Sequence, residues 1–207
     1  VMTRPDISCI VSILQRYQQQ PKRNHMKAVR HLQRYLQGTT DLGLKYTGGP
    51  VQLEAWVDSS WADDVDNAES QYGWRIDLCG APVAWKSGLQ RCTAQSSTEA
   101  EYVALADIIC ELLFLTSLLA EMGHLQQPVQ IREDNKGVLY VAKGEGKHSK
   151  RRHINIKYHL AQKYLDELYY LDDVRGHTND ADIFTKPTLT DEQFYAYRDS
   201  MLTKLYT

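Results

Sequence analysis

The stretch that decides the fold reads Ser96-Ser-Thr-Glu-Ala-Glu-Tyr-Val-Ala-Leu105. Its last residues begin an apolar pattern at helical spacing that continues through Leu119, and Gly123 follows as a stop signal. The pattern predicts a long helix from about Ser97 to Met122. Ser96 with Glu99, and Thr98 with Glu101, both have the spacing of a capping box, so either glutamate could serve the helix start.

Strand-like segments lie on both sides of this helix. Three precede it, near residues 51–58, 71–79 and 82–93, with Gly80-Ala81 as the tight connection between the last two. After the helix come a strand at 129–134, helices near 135–143 and 153–168, a strand at 169–174 and further helical sequence. This order predicts an α/β fold in which a mixed sheet is flanked by helices.

The first 48 residues have a different character. Two helical patterns begin at Pro5 and Pro21, and a short strand near 42–46 follows. Gly48-Gly-Pro50 is the best boundary signal in the chain. We therefore expect a small helical segment at 1–48 and a larger domain at 49–207. Because the first residue is not Met and no signal-peptide pattern follows, we also expect a piece of a longer polypeptide.

Composition narrows the class of protein. Hydrophobic residues make up 43% of the 207 residues, which is enough for a core, and we expect no apolar run long enough to span a bilayer. A membrane is therefore not an expected partner. The four cysteines have no paired spacing typical of zinc or disulfides, which favours a reducing compartment: Cys9, Cys79, Cys92 and Cys110.

Charge is unevenly distributed although the net charge is only −2. One basic zone runs from Arg16 to Thr40 and contains no acidic residue, and a second runs from Lys143 to Lys157 with Glu145 as its one acidic residue. Such zones suit local contacts with phosphates, whereas the alternative is a pair of solvated helix faces.

Four carboxylates stand where predicted elements begin or end. Asp58 and Asp134 close strands, while Glu101 and Asp182 lie in the first turns of helices. If they converge, their like charges need a compensating cation. Two Mg²⁺ ions about 3.5–4 Å apart would supply it and would also suit phosphodiester cleavage. Each carboxylate has a local alternative, since Asp134 could cap a helix, Asp182 could complement a helix dipole, and Asp58 could be a turn residue.

Several motifs resemble one known family. They are Trp85-Lys-Ser-Gly-Leu-Gln90, Ser96–Leu105, Asp134-Asn135, His153-Ile-Asn-Ile-Lys-Tyr-His159 and Ala181-Asp-Ile-Phe-Thr-Lys-Pro187. Together they resemble the ribonuclease H domain of copia-type LTR retrotransposon polyproteins. Residues 1–48, with Thr3-Arg-Pro-Asp-Ile7 and Leu32-Gln-Arg-Tyr-Leu-Gln-Gly-Thr39, resemble the thumb and connection that follow the reverse-transcriptase palm.

The resemblance implies a ribonuclease H-like mixed five-stranded sheet and assigns roles to residues. Asp58, Glu101, Asp134 and Asp182 would be the catalytic carboxylates and the ligands of two Mg²⁺ ions, which Mn²⁺ could replace. Ser96 and Glu99 would then form the cap, which frees Glu101. Val174-Arg-Gly-His177 is similar to a cellular ribonuclease H motif, so His177 would be an auxiliary residue or an exposed loop histidine.

Further residues are assigned to binding or are set apart. A nucleic-acid-binding set would hold an RNA–DNA hybrid through its backbone and 2′-hydroxyls: Lys150, Arg151, Arg152, His153 and Asn135. Tyr170-Leu-Asp-Asp173 matches a polymerase motif, yet its place after the thumb-like segment predicts a strand of the sheet, with Asp172 and Asp173 outside the metal site.

The resemblance implies an endonuclease that cuts the RNA strand of a hybrid beside an upstream reverse-transcriptase palm. It would act in the cytoplasm, within a virus-like particle, or in the nucleus. The alternative is a non-catalytic ribonuclease H-like module, left from a retrotransposon, that binds nucleic acid or protein.

Overall fold

The computed structural model of the chain describes residues 2–62, 69–91, 94–142, 159–174 and 178–205. A two-stranded ribbon and a five-stranded sheet account for its strands. In chain order the strands are β1 (Leu42–Gly43), β2 (Leu53–Ser60), β3 (Gln71–Leu78), β4 (Ala81–Leu89), β5 (Val129–Glu133), β6 (Tyr169–Asp173) and β7 (Thr203–Lys204).

The central sheet is mixed and has the order β4-β3-β2-β5-β6. Its first three strands in the chain pair antiparallel as a meander, whereas β5 lies parallel to β2 and β6 lies parallel to β5. The expected mixed five-stranded sheet is confirmed. Because β2 lies at the middle of the sheet, residues at its end are flanked by β3 on one side and β5 on the other.

The helices lie on both faces of this sheet. Their bounds are α1 (Ser8–Gln15), α2 (Arg23–Gln37), α3 (Ser97–Glu121), α4 (Lys136–Ala142), α5 (Asp182–Thr185) and α6 (Asp191–Met201), with a 3₁₀ turn at Pro5–Ile7. Residues 159–164 are also helical, so the expected helix at 153–168 ends early, and its first six residues lie outside the described part of the chain. Asp166, with φ of 62°, turns the chain toward β6.

Each face of the sheet has its own apolar core. On one face α3 packs on alternating residues of β2, namely Leu53, Ala55 and Val57, as strand periodicity requires. On the other face α5 and α6 supply a second cluster: Ile183, Phe184, Tyr197, Met201 and Leu202. The two cores hold the end of β2 between α3 and α5.

The hairpin between β3 and β4 turns one residue earlier than predicted. Leu78 pairs with Ala81, so the loop consists of Cys79 and Gly80. Their φ angles are 54° and 75°. Two consecutive positive φ angles are typical of the type I′ turn, whose twist matches a two-residue hairpin.

The N-terminal segment packs on the sheet domain. α1 contacts β4 and α5, the 3₁₀ turn contacts α6, and β1 pairs with β7. Beyond Gln15, Arg16 donates to the Gln71 side chain, whose Nε2 in turn donates to Ser87 Oγ at 2.8 Å. The division into 1–48 and 49–207 stays a prediction, but the two parts share packed surfaces.

The longest helix corrects one expectation from the sequence. By length and hydropathy alone, α3 would be able to cross a membrane. Its apolar character has another explanation in this fold, because twelve of its residues, among them Leu105, Ile108 and Leu112, are buried within the protein. Such a composition is therefore that of a core helix.

Candidate functional site

Three of the predicted carboxylates meet at one end of the sheet. Asp58 lies near the end of β2, Asp134 directly follows β5, and Glu101 lies in the second turn of α3. Because β2 and β5 are parallel neighbours, their C-terminal ends lie side by side, and α3 packs across β2. One ligand oxygen from each of the three residues lies within 4.8 Å of the others.

The fourth predicted carboxylate is joined to this cluster by a lysine. Asp182 is the first residue of α5, and its Oδ1 lies 2.6 Å from Lys186 Nζ. The same Nζ lies 3.9 Å from Asp58 Oδ1. The structure therefore brings all four carboxylates to one region, three of them directly and Asp182 through Lys186.

A glycine allows α5 to approach the sheet. Gly73 of β3 is in register with Asp58, and a Cβ added to it would lie 2.3 Å from Phe184 Cβ and 3.0 Å from the Lys86 carbonyl oxygen. Any larger residue would therefore push α5 outward. The close approach lets Thr185 donate its hydroxyl hydrogen to Asp58 Oδ2.

A buried asparagine ties the start of α5 to β2. Asn179 Nδ2 donates to the Val57 carbonyl at 2.8 Å, and its Oδ1 accepts from the Ala181 amide at 3.1 Å. Since Val57 precedes Asp58, this pair of bonds fixes Asp182 relative to Asp58. Sequence reasoning missed Asn179, because nothing in its local pattern shows that the side chain is buried.

Burial of these acids changes their proton affinity. Burial raises the pKa of Asp58 to about 7, an effect that Lys186 opposes and Asp182 strengthens. Burial, then Glu133 and Asp58, raise the pKa of Glu101 well above its usual value. Burial also raises the pKa of Asp182 against the opposing effect of Lys186. Without a cation, the cluster favours protonated carboxyls at neutral pH.

Lys186 responds in the way expected of a cation among acids. Burial acts to lower the pKa of its ammonium, but the carboxylates of Asp58 and Asp182 together raise it. The ammonium is therefore retained at neutral pH. An i,i+4 pair between Asp182 and Lys186 was visible in the sequence as a helix-surface pair, yet the contact with Asp58 could not be inferred from it.

Glu133 is a fifth buried carboxylate that sequence reasoning missed. Its Oε1 accepts from the Asn135 amide at 3.0 Å, while Oε2 has no hydrogen-bond partner among the described residues. Burial raises its pKa well above the usual value, and Asp58 and Asp134 add to this. The signal was present, because Val129, Ile131 and Glu133 alternate on the buried face of β5.

The helix starts resolve two of the alternatives. Ser96 Oγ accepts from the Glu99 amide at 3.2 Å, so the expected cap at Ser96 is confirmed. Asn135 Oδ1 accepts from the Gly137 amide at 2.9 Å, which makes Asn135 the residue that caps α4. Asp134 is thereby left to the acidic cluster.

The Asp-Asp pair of the polymerase-like motif lies in the edge strand. Tyr169–Asp173 forms β6, as predicted for the last strand of the sheet. Asp172 Oδ2 accepts from Gln130 Nε2 at 2.8 Å, and Asp173 is exposed. Neither belongs to the carboxylate group found among the described residues.

The remaining predicted residues lie outside the described part of the chain. These are the basic loop residues Lys150, Arg151, Arg152 and His153, together with His177. Their assignments, and that of Asn135 to nucleic-acid binding, stay predictions. None of the three described cysteines, Cys9, Cys79 and Cys110, forms a disulfide.

Comparison with known proteins places this site in a family. No family model matches the chain. Over 90% of its length it is 33% identical to the retrovirus-related Pol polyprotein from transposon TNT 1-94 of Nicotiana tabacum, and over 89% it is 36% identical to that from transposon RE2 of Arabidopsis thaliana. The chain belongs to the copia-type, retrovirus-related Pol polyproteins. It spans only 14% and 13% of the lengths of these two Pol polyproteins.

Other similarities are with a shorter protein and with solved structures. The secreted RxLR effector protein 161 of Plasmopara viticola is 39% identical over 56% of the chain and 82% of its own length. The N-terminal RNase H domain of a Mycobacterium tuberculosis protein is 16% identical, with a TM-score of 0.49 over 72% of this chain and 98% of that one. For RNase H1 from Halobacterium salinarum the values are 18%, 0.45, 65% and 94%.

Proposed function

We propose that this Pol-polyprotein segment is a ribonuclease H-type endonuclease that cuts the RNA strand of an RNA–DNA hybrid. The observation that carries the proposal is the convergence of Asp58, Glu101 and Asp134, with Asp182 held beside them. Sequence similarity to Pol polyproteins supports it, since these are proteins of retrotransposons.

The residues fit a pair of divalent cations on an observation independent of that similarity. Glu101 Oε2 is buried and has no hydrogen-bond partner in the described part of the chain. Burying an ionised oxygen without a partner is costly unless a proton or a cation compensates it. Carboxylate oxygens are also the donors that Mg²⁺ prefers, and Mn²⁺ would accept the same set.

Asp58, Glu101, Asp134 and Asp182 would hold two Mg²⁺ ions. When bound, these ions supply an activated water as nucleophile and positive charge for the leaving oxygen. The chain itself orients the ligands. Thr185 donates to Asp58, and the Tyr197 hydroxyl lies 3.4 Å from Asp182 Oδ2, so both carboxylates are held in one rotamer.

In this proposal the basic loop and Asn135 contact the hybrid. The chain would act beside an upstream reverse-transcriptase palm, in a cytoplasmic virus-like particle or in the nucleus. His177 would have an auxiliary role, and residues 1–48 would be the thumb-like unit that precedes the nuclease domain at 49–207.

The test is incubation with a hybrid labelled on its RNA strand, in the presence of Mg²⁺. We expect products with 5′-phosphate and 3′-hydroxyl ends and no cutting by Asp134→Asn, because hydrolysis by water leaves the 2′-hydroxyl unused. Asp173→Asn is the matched control, since Asp173 ends the neighbouring strand β6 in register with Glu133 but is exposed.

Three results would contradict the proposal. They are cyclic-phosphate products, cutting that survives a chelator, and loss of cutting in Asp173→Asn but not in Asp134→Asn. Binding of the hybrid without any cutting would instead favour the non-catalytic module.

A further inference from the structure

Lys186 places a fixed positive charge inside the acidic cluster. Its Nζ lies 2.6 Å from Asp182 Oδ1 and 3.9 Å from Asp58 Oδ1, so it bridges two of the proposed metal ligands. The side chain is about one-third exposed, at 36%, whereas both carboxylates are almost fully buried, at 3% and 4%. The ammonium therefore reaches the carboxylates from the solvent side.

The two halves of the cluster differ in how well their oxygens are satisfied. In the half formed by Asp58 and Asp182, Thr185, Lys186 and Tyr197 supply contacts to both oxygens of each carboxylate. In the half formed by Asp58, Glu101 and Asp134, Glu101 Oε2 lacks a partner among the described residues. One half is ready for an added cation, and the other already has one.

We infer that Lys186 is a resident cation that occupies the place of one of the two divalent ions. The inference rests on the proposed function and goes beyond it. The first ion would bind at Asp58, Glu101 and Asp134. The second would bind at Asp58 and Asp182 only after the Lys186 ammonium has withdrawn, so the two sites would differ in affinity.

The fold offers Lys186 a place to withdraw to. Its side chain lines a cavity of about 400 Å³ between the N-terminal helices and α5–α6. Asp6 and Asp191 are among the residues that line the cavity, so a second acidic environment exists on that side. A simpler alternative is that Lys186 only stabilises the short helix α5 as an i,i+4 partner of Asp182.

Calorimetric titration with Mn²⁺, without nucleic acid, separates these roles. For the unaltered protein we expect one tighter and one weaker site. Lys186→Met should tighten the weaker site about tenfold, which corresponds to one charge-assisted hydrogen bond no longer broken on binding. Lys186→Arg, which keeps the charge, should leave the weaker site weak.

Lys86→Met is the matched control. Lys86 Nζ lies 2.8 Å from Asp107 Oδ2 and the side chain is 42% exposed, so the change removes an equivalent ion pair outside the cluster. We expect no change in Mn²⁺ affinity. Equal tightening by Lys86→Met and Lys186→Met would overturn the inference, because it would report only a change in net charge.

A measurement on the unaltered protein covers the case in which Lys186→Met does not fold. Acetylation by acetic anhydride, followed by mass spectrometry, should modify Lys186 faster at saturating Mn²⁺ than in chelator, while Lys86 is unaffected. Unchanged or slower modification of Lys186 would overturn the inference and leave the proposed nuclease standing. Absence of any Mn²⁺ binding would overturn both.

Discussion

Replacement of Asp58 by Asn is expected to stabilise the metal-free protein at pH 8. The Asp58 carboxyl is buried and its pKa is raised from 3.8 to about 7. Between these two values the folded protein keeps a proton that the unfolded chain has already lost. Stability therefore falls as pH rises through this window, and asparagine, which does not ionise, should remove that loss.

The size of the effect follows from the displacement of the pKa. One pKa unit is worth about 1.4 kcal/mol, so the rise from 3.8 to about 7 corresponds to about 4 kcal/mol at pH 8. For a chain of this length, that is roughly 10 °C in melting temperature. At pH 4, where the Asp58 carboxyl is protonated in the folded state, Asp58→Asn should differ little from the unaltered protein.

Urea unfolding in excess chelator at pH 4, 6 and 8 checks this expectation. Asp173→Asn serves as the control for the removal of one negative charge, because Asp173 is exposed. A stability gain for Asp58→Asn that is the same at pH 4 and pH 8 would refute the reasoning. So would an unaltered protein that is more stable at pH 8 than at pH 6 without metal.

Two further predictions concern the approach of α5 and the basic loop. Gly73→Ala should destabilise the fold by about 1–3 kcal/mol, because its Cβ would overlap Phe184, and should lower hybrid cleavage; Gly88→Ala, with its nearest neighbour at 3.6 Å, is the control, and equal urea midpoints for both would contradict the argument. Changing Lys150, Arg151 and Arg152 together to Ala should weaken hybrid binding and flatten its log–log salt dependence, by a slope of about 0.9 for each phosphate of a B-form duplex that is no longer neutralised. A lowered melting temperature with an unchanged salt slope would show that the loop serves folding instead.

The element order and the acidic cluster could be predicted because their signals are local. Period-2 and helical spacing located the strands and α3, and strand ends and helix starts located Asp58, Glu101, Asp134 and Asp182. The antiparallel and parallel pairings then followed from the rules that connect such elements.

Features that depend on contacts between distant segments were out of reach. The need for glycine at position 73 comes from Phe184, more than a hundred residues later. The bond from Asn179 to Val57 spans 122 residues. Glu133 and Lys186 were readable in part, by strand alternation and by i,i+4 spacing, but a charged residue on a buried face contradicts the usual preference and was passed over.

The ribbon of β1 and β7 bears on how a protease could process such a polyprotein. It joins residues 42–43 to residues 203–204, across nearly the whole sheet domain. Cutting at the Gly48–Gly49 link would not by itself release the first segment, which would stay bound as a non-covalent complex. If that segment did dissociate, the apolar surface around Trp85, Ile183 and Phe194 would become exposed to water. Maturation that separates the two parts would therefore favour aggregation over a free nuclease, and a viable cleavage point would have to lie before Arg4, whose guanidinium bonds Thr39.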